Sequence, residues 1–377
     1  MPPRFVFHIG PIKTGSTSIQ SFLEQEAKNN SLIEYKRIKP DHFFSLRAKG
    51  KSQSATEHFK RLFERKTSTD QNNQKKTCIF SHECMYQRPE NIARLIEIAT
   101  DFSEDISVIC YLRQQSKHYR SHFSQFLYFD QEITSKTEEV FTNNGLNLEL
   151  FTGLESFFIA LCLSDFKIVQ PSGLGQTEYQ NWQRITKIAD KCKPFGINFI
   201  AGLVPQQPEQ GSLIQDFCNK AKIKRNNSEA PTNDIHIHTA LPDPAVEILH
   251  QAIKNGLSLP SKKPEHLPCF EAFRSKKFHN NIIKLHDINL LKKLSDFIDT
   301  HYFPSNKNVC QRFNLSPEYF TPSTRCSRET MEAIIHDTHQ QRRKHPLQRL
   351  LLTRELLTES LRYLMLNDLN NNIESKC

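Results

Sequence analysis

The sequence predicts an α/β fold: a central parallel β-sheet flanked by helices, with a helical C-terminal region. Three observations carry this. Short apolar runs rich in β-branched and aromatic residues recur at 5–9, 77–81 and 106–112, as buried parallel strands require. Helical patterns follow each run, at 16–28, 90–100 and 114–129, and strand alternating with helix is the pattern of a sheet covered on both faces. The last third reads mainly helical.

The first run, Phe5-Val6-Phe7-His8-Ile9, stops at Gly10, short of the about 7–15 apolar residues of a secretory signal, so it reads as a strand. After the first helix, residues 28–76 carry 13 Lys/Arg against 5 Asp/Glu and read as a solvated basic insertion or as a surface that attracts anions. A fourth unit spans 177–222. In it a helix around 182–192 stops at Pro194-Phe195-Gly196, a strand follows at 197–204, and another helix begins near Gly211. Residues 224–263 are rich in Pro, Asn, Ser and His and read as an irregular connection. The expected division is an α/β domain over 1–260 and a mainly helical region over 261–377 packed on it. Within the latter, Leu350, Leu351, Leu356 and Leu357 lie at near-helical spacing and suit a docking or oligomer helix.

Several function classes drop out on composition. The 377 residues contain no apolar run near the roughly 20 residues of a spanning helix. The ten cysteines stand singly, without Cys-x-x-Cys, so reduced thiols and a cytoplasmic location are expected. The formal charge of +9 is not accompanied by zinc-finger spacing or an aromatic-interleaved basic motif, so nucleic acid is not the expected partner. His236 with His238, and His336 with His339, have metal-ligand spacing but no cysteine or carboxylate constellation beside them, and no metal is expected.

The chemistry concentrates at strand ends. Gly10-Pro11-Ile12-Lys13-Thr14-Gly15-Ser16-Thr17-Ser18 joins the first strand to the first helix. A turn feeding a helix N-terminus aims backbone N–H groups and the positive end of the dipole at one point, which suits phosphate or sulfate. The nucleotide-hydrolase phosphate loop ends Gly-Lys-Ser/Thr, whereas here Ser16 follows Gly15 and the lysine stands inside the loop at 13, which disfavours an ATPase or kinase.

The run from His8 to Gln20 resembles the 5′-phosphosulfate loop of the sulfotransferase superfamily, in its bacterial and carbohydrate-sulfating branches. The resemblance implies a P-loop-type sheet and 3′-phosphoadenosine 5′-phosphosulfate (PAPS) as donor, with PAP as product. It also implies that Lys13 contacts the 5′-phosphate and the bridging oxygen, while Gly10, Thr14, Gly15, Ser16, Thr17 and Ser18 wrap the phosphate. Arg113 at the third strand's end, with Ser121 eight residues on, is similar to the family's 3′-phosphate pair; Gln115 stands where the family often has proline. A guanidinium fork with a neutral donor suits a phosphate dianion.

The second strand ends Ser81-His82-Glu83. Sulfuryl transfer needs a base at the acceptor and a cation at the leaving phosphate. Cytosolic members place a histidine here, and carbohydrate-type members resemble Ser-x-Glu, so Glu83 and His82 are both candidates. The expected function is sulfuryl transfer from PAPS to a hydroxyl or amine of a carbohydrate acceptor. The alternatives are a P-loop kinase or NTPase, or a catalytically degenerate nucleotide-binding protein.

Overall fold

In the computed structural model, residues 2–38, 52–67, 75–87, 89–124, 130–169, 181–206, 212–223, 246–247, 249–251 and 288–344 are described. The chain divides into two units that interleave along the sequence. The first holds Met1–Gln114, Tyr179–His238 and Pro304–Phe320; the second holds Gln115–Glu178, Thr239–Phe303 and Thr321–Cys377. The expected boundary at residue 260, the irregular stretch 224–263 for the most part, His236, His238 and the leucines at 350–357 lie outside the described residues.

The first unit is a five-stranded sheet, all parallel: β1 (Arg4–Ile9), β2 (Ile33–Arg37), β3 (Thr77–His82), β4 (Ile106–Leu112) and β5 (Asn198–Leu203), ordered β2-β3-β1-β4-β5. β1 is central and buried along its whole length, which is why its sequence is a continuous apolar run rather than an alternation. Its alternate residues serve two layers. Phe5 and Phe7 meet Phe80 of β3 and Phe63 of α2 (Ser52–Thr67), with ring centroids 5.2–6.3 Å apart. Val6, on the other face, joins a core with Ile19, Phe22 and Leu23 of α1 (Ser16–Asn29) and with Ile214, Phe217 and Cys218 of α8 (Leu213–Ala221). α3 (Pro89–Thr100) packs against α2 and against α7 (Arg184–Cys192).

The three expected strands are present within a residue of their expected ends, and so are the α1, α3 and β5 segments. β2 is the strand that sequence patterning passes over. It lies at the sheet edge, inside the stretch expected to be a basic insertion, and reads Ile-Glu-Tyr-Lys-Arg with only Ile33 buried. An edge strand can be polar on both faces and lose its periodic signal. The same stretch also supplies α2, whose buried Phe59 and Phe63 help cover the sheet.

In the second unit, α4 (Gln115–Phe123), α5 (Gln131–Asn143), α6 (Gly153–Leu163), the first part of α9 (Ile288–Phe313) and α10 (Arg328–Lys344) surround a core containing Phe141, Phe157, Phe158, Leu294, Ile298 and Ile335. The helix expected over 114–129 ends at Phe123; α5 starts afresh, with Asp130 Oδ1 accepting the Glu132 and Ile133 N–H groups. α6 opens with a capping box between Thr152 and Glu155. Cys78, Cys110, Cys162, Cys192, Cys218, Cys310 and Cys326 form no disulfide, and no described helix is long and apolar enough to cross a membrane.

Candidate functional site

Strand order fixes where a ligand can sit in the first unit. After β1 the chain runs through α1 to β2, on one side of β1, while after β4 it returns to the sheet only at β5, on the other side, so the strand order reverses between β1 and β4. Such a divergence opens a crevice at the carboxyl ends of the strands. Register brings Ile9 level with His82 and with Cys110, so residues 10–15, 83 and 113 follow at the same edge.

The loop after β1 is tightly specified. Lys13 has φ 69° and Gly15 φ 81°, both left-handed. Gly15 tolerates this conformation, whereas Lys13 adopts it at a cost of about 1–3 kcal/mol. Two bonds hold the turn: Thr14 Oγ1 donates to the Pro11 carbonyl at 2.7 Å, and Arg113 Nη1 donates to the Lys13 carbonyl at 3.2 Å. A Cβ on Gly10 would come within 3.1 Å of Thr14 Oγ1, so glycine leaves room for that inward-turned side chain.

Gly15 is the N-cap of α1, and no side chain caps the helix. The neighbouring hydroxyls Ser16, Thr17 and Ser18 make no side-chain hydrogen bond among the described residues. Ser16 Oγ is enclosed, at 2% residue exposure, without a partner. Capping would have engaged one of them. Instead the first turn presents unbonded hydroxyls beside uncapped N–H groups, a donor set that suits a tetrahedral anion.

Beneath the loop, His8 Nδ1 lies 2.9 Å from Ser81 Oγ, which also accepts from Gln20 Nε2 at 3.1 Å. Full burial lowers the His8 pKa to about 3, so the imidazole is neutral. It rests edge-on against Tyr111 and Phe217. This polar triad ties β1, β3 and α1 together at the floor of the loop.

Around the floor stand three cations and a carboxylate. The Arg113 side chain, half-buried, donates to the Lys13 carbonyl and pairs with no carboxylate among the described residues. Burial pulls its pKa down, with the Tyr319 phenol opposing; a guanidinium remains charged regardless. Glu83 opens the 3-10 turn Glu83–Gln87 directly after β3. Burial raises its pKa, and the charges of Arg37 and Lys13 draw it back. Lys13, Glu83 and Arg37 therefore share one electrostatic neighbourhood. His82, half-buried, is the last residue of β3.

The structure thus brings Gly10, Lys13, Thr14, Gly15, Ser16, Thr17, Ser18, His82, Glu83 and Arg113 to one sheet edge. Ser121, buried, lies on α4 in the second unit. Two contributors escape sequence reading. Arg37 is hidden because β2 carries no strand signal. Trp182, whose indole Nε1 donates to the Arg113 carbonyl at 2.9 Å, lies 69 residues from it in sequence, and no local pattern announces the contact. His336 and His339 join no metal-binding cluster among the described residues. No protein-family model matches the sequence, and no curated protein matches it.

Proposed function

We propose that this chain is a PAPS-dependent sulfotransferase, moving a sulfuryl group to a hydroxyl or amine of an acceptor, with a carbohydrate as the acceptor class that the Ser81-x-Glu83 pattern suggests. The observation that carries the reading is the loop after β1. It combines an uncapped helix N-terminus, the unbonded hydroxyls of Ser16, Thr17 and Ser18, and Lys13 held inside the turn next to Arg113 and Glu83. PAPS would supply a good phosphate leaving group bearing the sulfuryl unit. The α1 N-terminus and its hydroxyls would hold the 5′-phosphate, Lys13 would stabilise charge on the departing oxygen, and Arg113 would take the 3′-phosphate. Glu83 would accept the proton as the acceptor oxygen or nitrogen bonds to sulfur and the sulfur–oxygen bond to phosphate breaks.

Glu83 is favoured over His82 as base because its carboxyl is lifted by burial yet stays within the field of Lys13. An anion site built on an arginine with no carboxylate partner among the described residues also fits a nucleotide with a second phosphate better than a plain triphosphate clamp.

The reading is tested by thermal shift with PAP on the full chain and on Lys13→Ala and Arg113→Ala. A ligand at 100 times its Kd adds about 2.7 kcal/mol to stability. Wild-type protein should be stabilised and both variants much less so. Indifference of the wild type to millimolar PAP, or stronger stabilisation by Mg²⁺-ATP, would overturn the proposal. Transfer of labelled sulfate from PAPS to a glycan panel then reads the activity itself.

A further inference from the structure

β4 ends its ladder at Leu112, where the Val204 N–H donates to the Leu112 carbonyl at 2.9 Å and register pairs Leu112 with Leu203. The next carbonyl, that of Arg113, has left the sheet. A backbone acceptor at a half-buried point needs a donor, and the indole of Trp182 supplies it at 2.9 Å. An indole N–H can only donate, so the direction of this bond is unambiguous.

Trp182 is itself held from several sides. Its ring is fully buried, at 0% exposure, and meets Tyr86 edge-on at 6.2 Å. The Tyr86 hydroxyl donates to the carbonyl of Asn181, the residue before Trp182, at 3.3 Å. The Arg184 guanidinium lies over the Tyr86 ring, 5.9 Å from its centre. The indole is therefore a rigid donor aimed at one carbonyl. Fixing that carbonyl fixes the peptide plane from which the Arg113 side chain departs toward the Lys13 carbonyl at 3.2 Å. Two hydrogen bonds in series, Trp182 to Arg113 and Arg113 to Lys13, connect the segment before α7 to the anion loop.

We infer that Trp182 is a positioning residue for Arg113, setting the direction of the guanidinium that receives a phosphate and so setting nucleotide affinity. This rests on the nucleotide-binding reading above. Trp182 is the single tryptophan of the chain, so its fluorescence reports this point alone and responds when Arg113 is engaged.

The experiment titrates PAP into the full chain while following tryptophan emission, and compares Trp182→Phe and replacement of Trp182 by benzothienylalanine, which keeps the ring volume and lacks the N–H. Wild-type emission should change saturably, with the midpoint found by thermal shift, and Arg113→Ala should abolish the change. Removing one hydrogen bond that orients a charged group should weaken PAP binding about fivefold to tenfold in both replacements, read by calorimetry. The KM for PAPS should rise by a similar factor with kcat held within about twofold. If the phenylalanine variant fails to fold, the isosteric one decides. Wild-type affinity in the benzothienylalanine protein, with Arg113→Ala still impaired, would show that Trp182 only fills space and would overturn this inference while leaving the sulfotransferase reading intact. No response of the wild type to PAP by either method would remove both.

Discussion

Arg113 donates from Nη1 to the Lys13 carbonyl 3.2 Å away, joining strand-end loops 100 residues apart in sequence. The bond spends one guanidinium nitrogen on the loop and leaves the rest of the fork free of any carboxylate among the described residues. Lysine at this position keeps the charge but lacks the planar fork that can grip the loop and an anion together. Arg113→Lys should therefore lose about 10–100-fold in PAP affinity, a difference measurable by calorimetry. Affinity within about twofold of wild type would mean that Arg113 acts only as a remote charge.

Gly15 supplies a second test of the loop. A Cβ there would clash with Leu213 Cδ2 in a backbone already at φ 81°. The leucine tip can move, but the left-handed backbone cost of about 1–2 kcal/mol stays. Gly15→Ala should lower unfolding free energy by about that amount in urea. Adding Leu213→Ala should relieve the clash without restoring the remainder.

How much of this was legible follows from which forces leave a local trace. β1, β3 and β4 are buried on both faces, so burial writes itself into contiguous residues such as Phe5-Val6-Phe7. The loop is legible because a tight turn demands Gly10 and Gly15 at fixed places. β2 is not, because an edge strand answers to backbone pairing with β3 and leaves Glu34, Lys36 and Arg37 free to be polar. Arg37 and Trp182 entered the site through that pairing and through a contact across 69 residues, neither of which has a sequence period. The interleaving of the two units is equally invisible, since Pro304–Phe320 belongs with the sheet only through tertiary bonds such as Tyr319 hydroxyl to Val204 carbonyl at 2.6 Å.

The Glu83 environment sets a pH profile. Burial raises its pKa above the ordinary carboxylate value, so the base form is lost as pH falls through that raised value. The acid limb of kcat/KM should lie above the ordinary carboxylate range. Arg37 favours the ionised form, and Arg37→Met should shift the limb to higher pH. Glu83→Gln should abolish the limb and lower the rate by about 10²–10⁴-fold. A limb that persists in Glu83→Gln and vanishes in His82→Ala would transfer the role to the histidine.

A different carboxylate governs the stability of the second unit. Asp299, at 3% exposure, accepts from the Ser116 N–H at 2.9 Å and the Ser116 hydroxyl at 2.6 Å at the start of α4. Burial raises its pKa to about 7, Asp296 adds to the effect, and the Ser116 bonds oppose it. The native state thus binds a proton more tightly than the unfolded chain, whose aspartate titrates near 3.9. The sign follows: stability is greatest below about pH 4 and falls as pH rises to about 7, by on the order of 4 kcal/mol for this group. Asp299→Asn should gain stability relative to wild type across that window, in denaturant titrations run at several pH values. A constant difference between the two proteins would refute the assignment.

A charge pair in the second unit centres on Glu155. Its carboxylate is completely buried, yet Arg342 of α10 reaches it from both terminal nitrogens at 2.8 and 3.0 Å, and the Thr152 N–H donates to it at 2.8 Å. The same guanidinium bonds the Leu150 carbonyl at 2.9 Å and lies 4.8 Å over the Phe151 ring. Removing the cation strands a desolvated carboxylate, which costs about 3–5 kcal/mol, whereas replacing both partners removes the stranded charge as well. Arg342→Met should therefore destabilise the chain by about that amount in equilibrium denaturation, and Arg342→Met combined with Glu155→Gln should recover much of it. Recovery is the discriminating result: a double variant as unstable as the sum of the singles would mean that packing on Phe151, rather than charge pairing, holds α10 to α6.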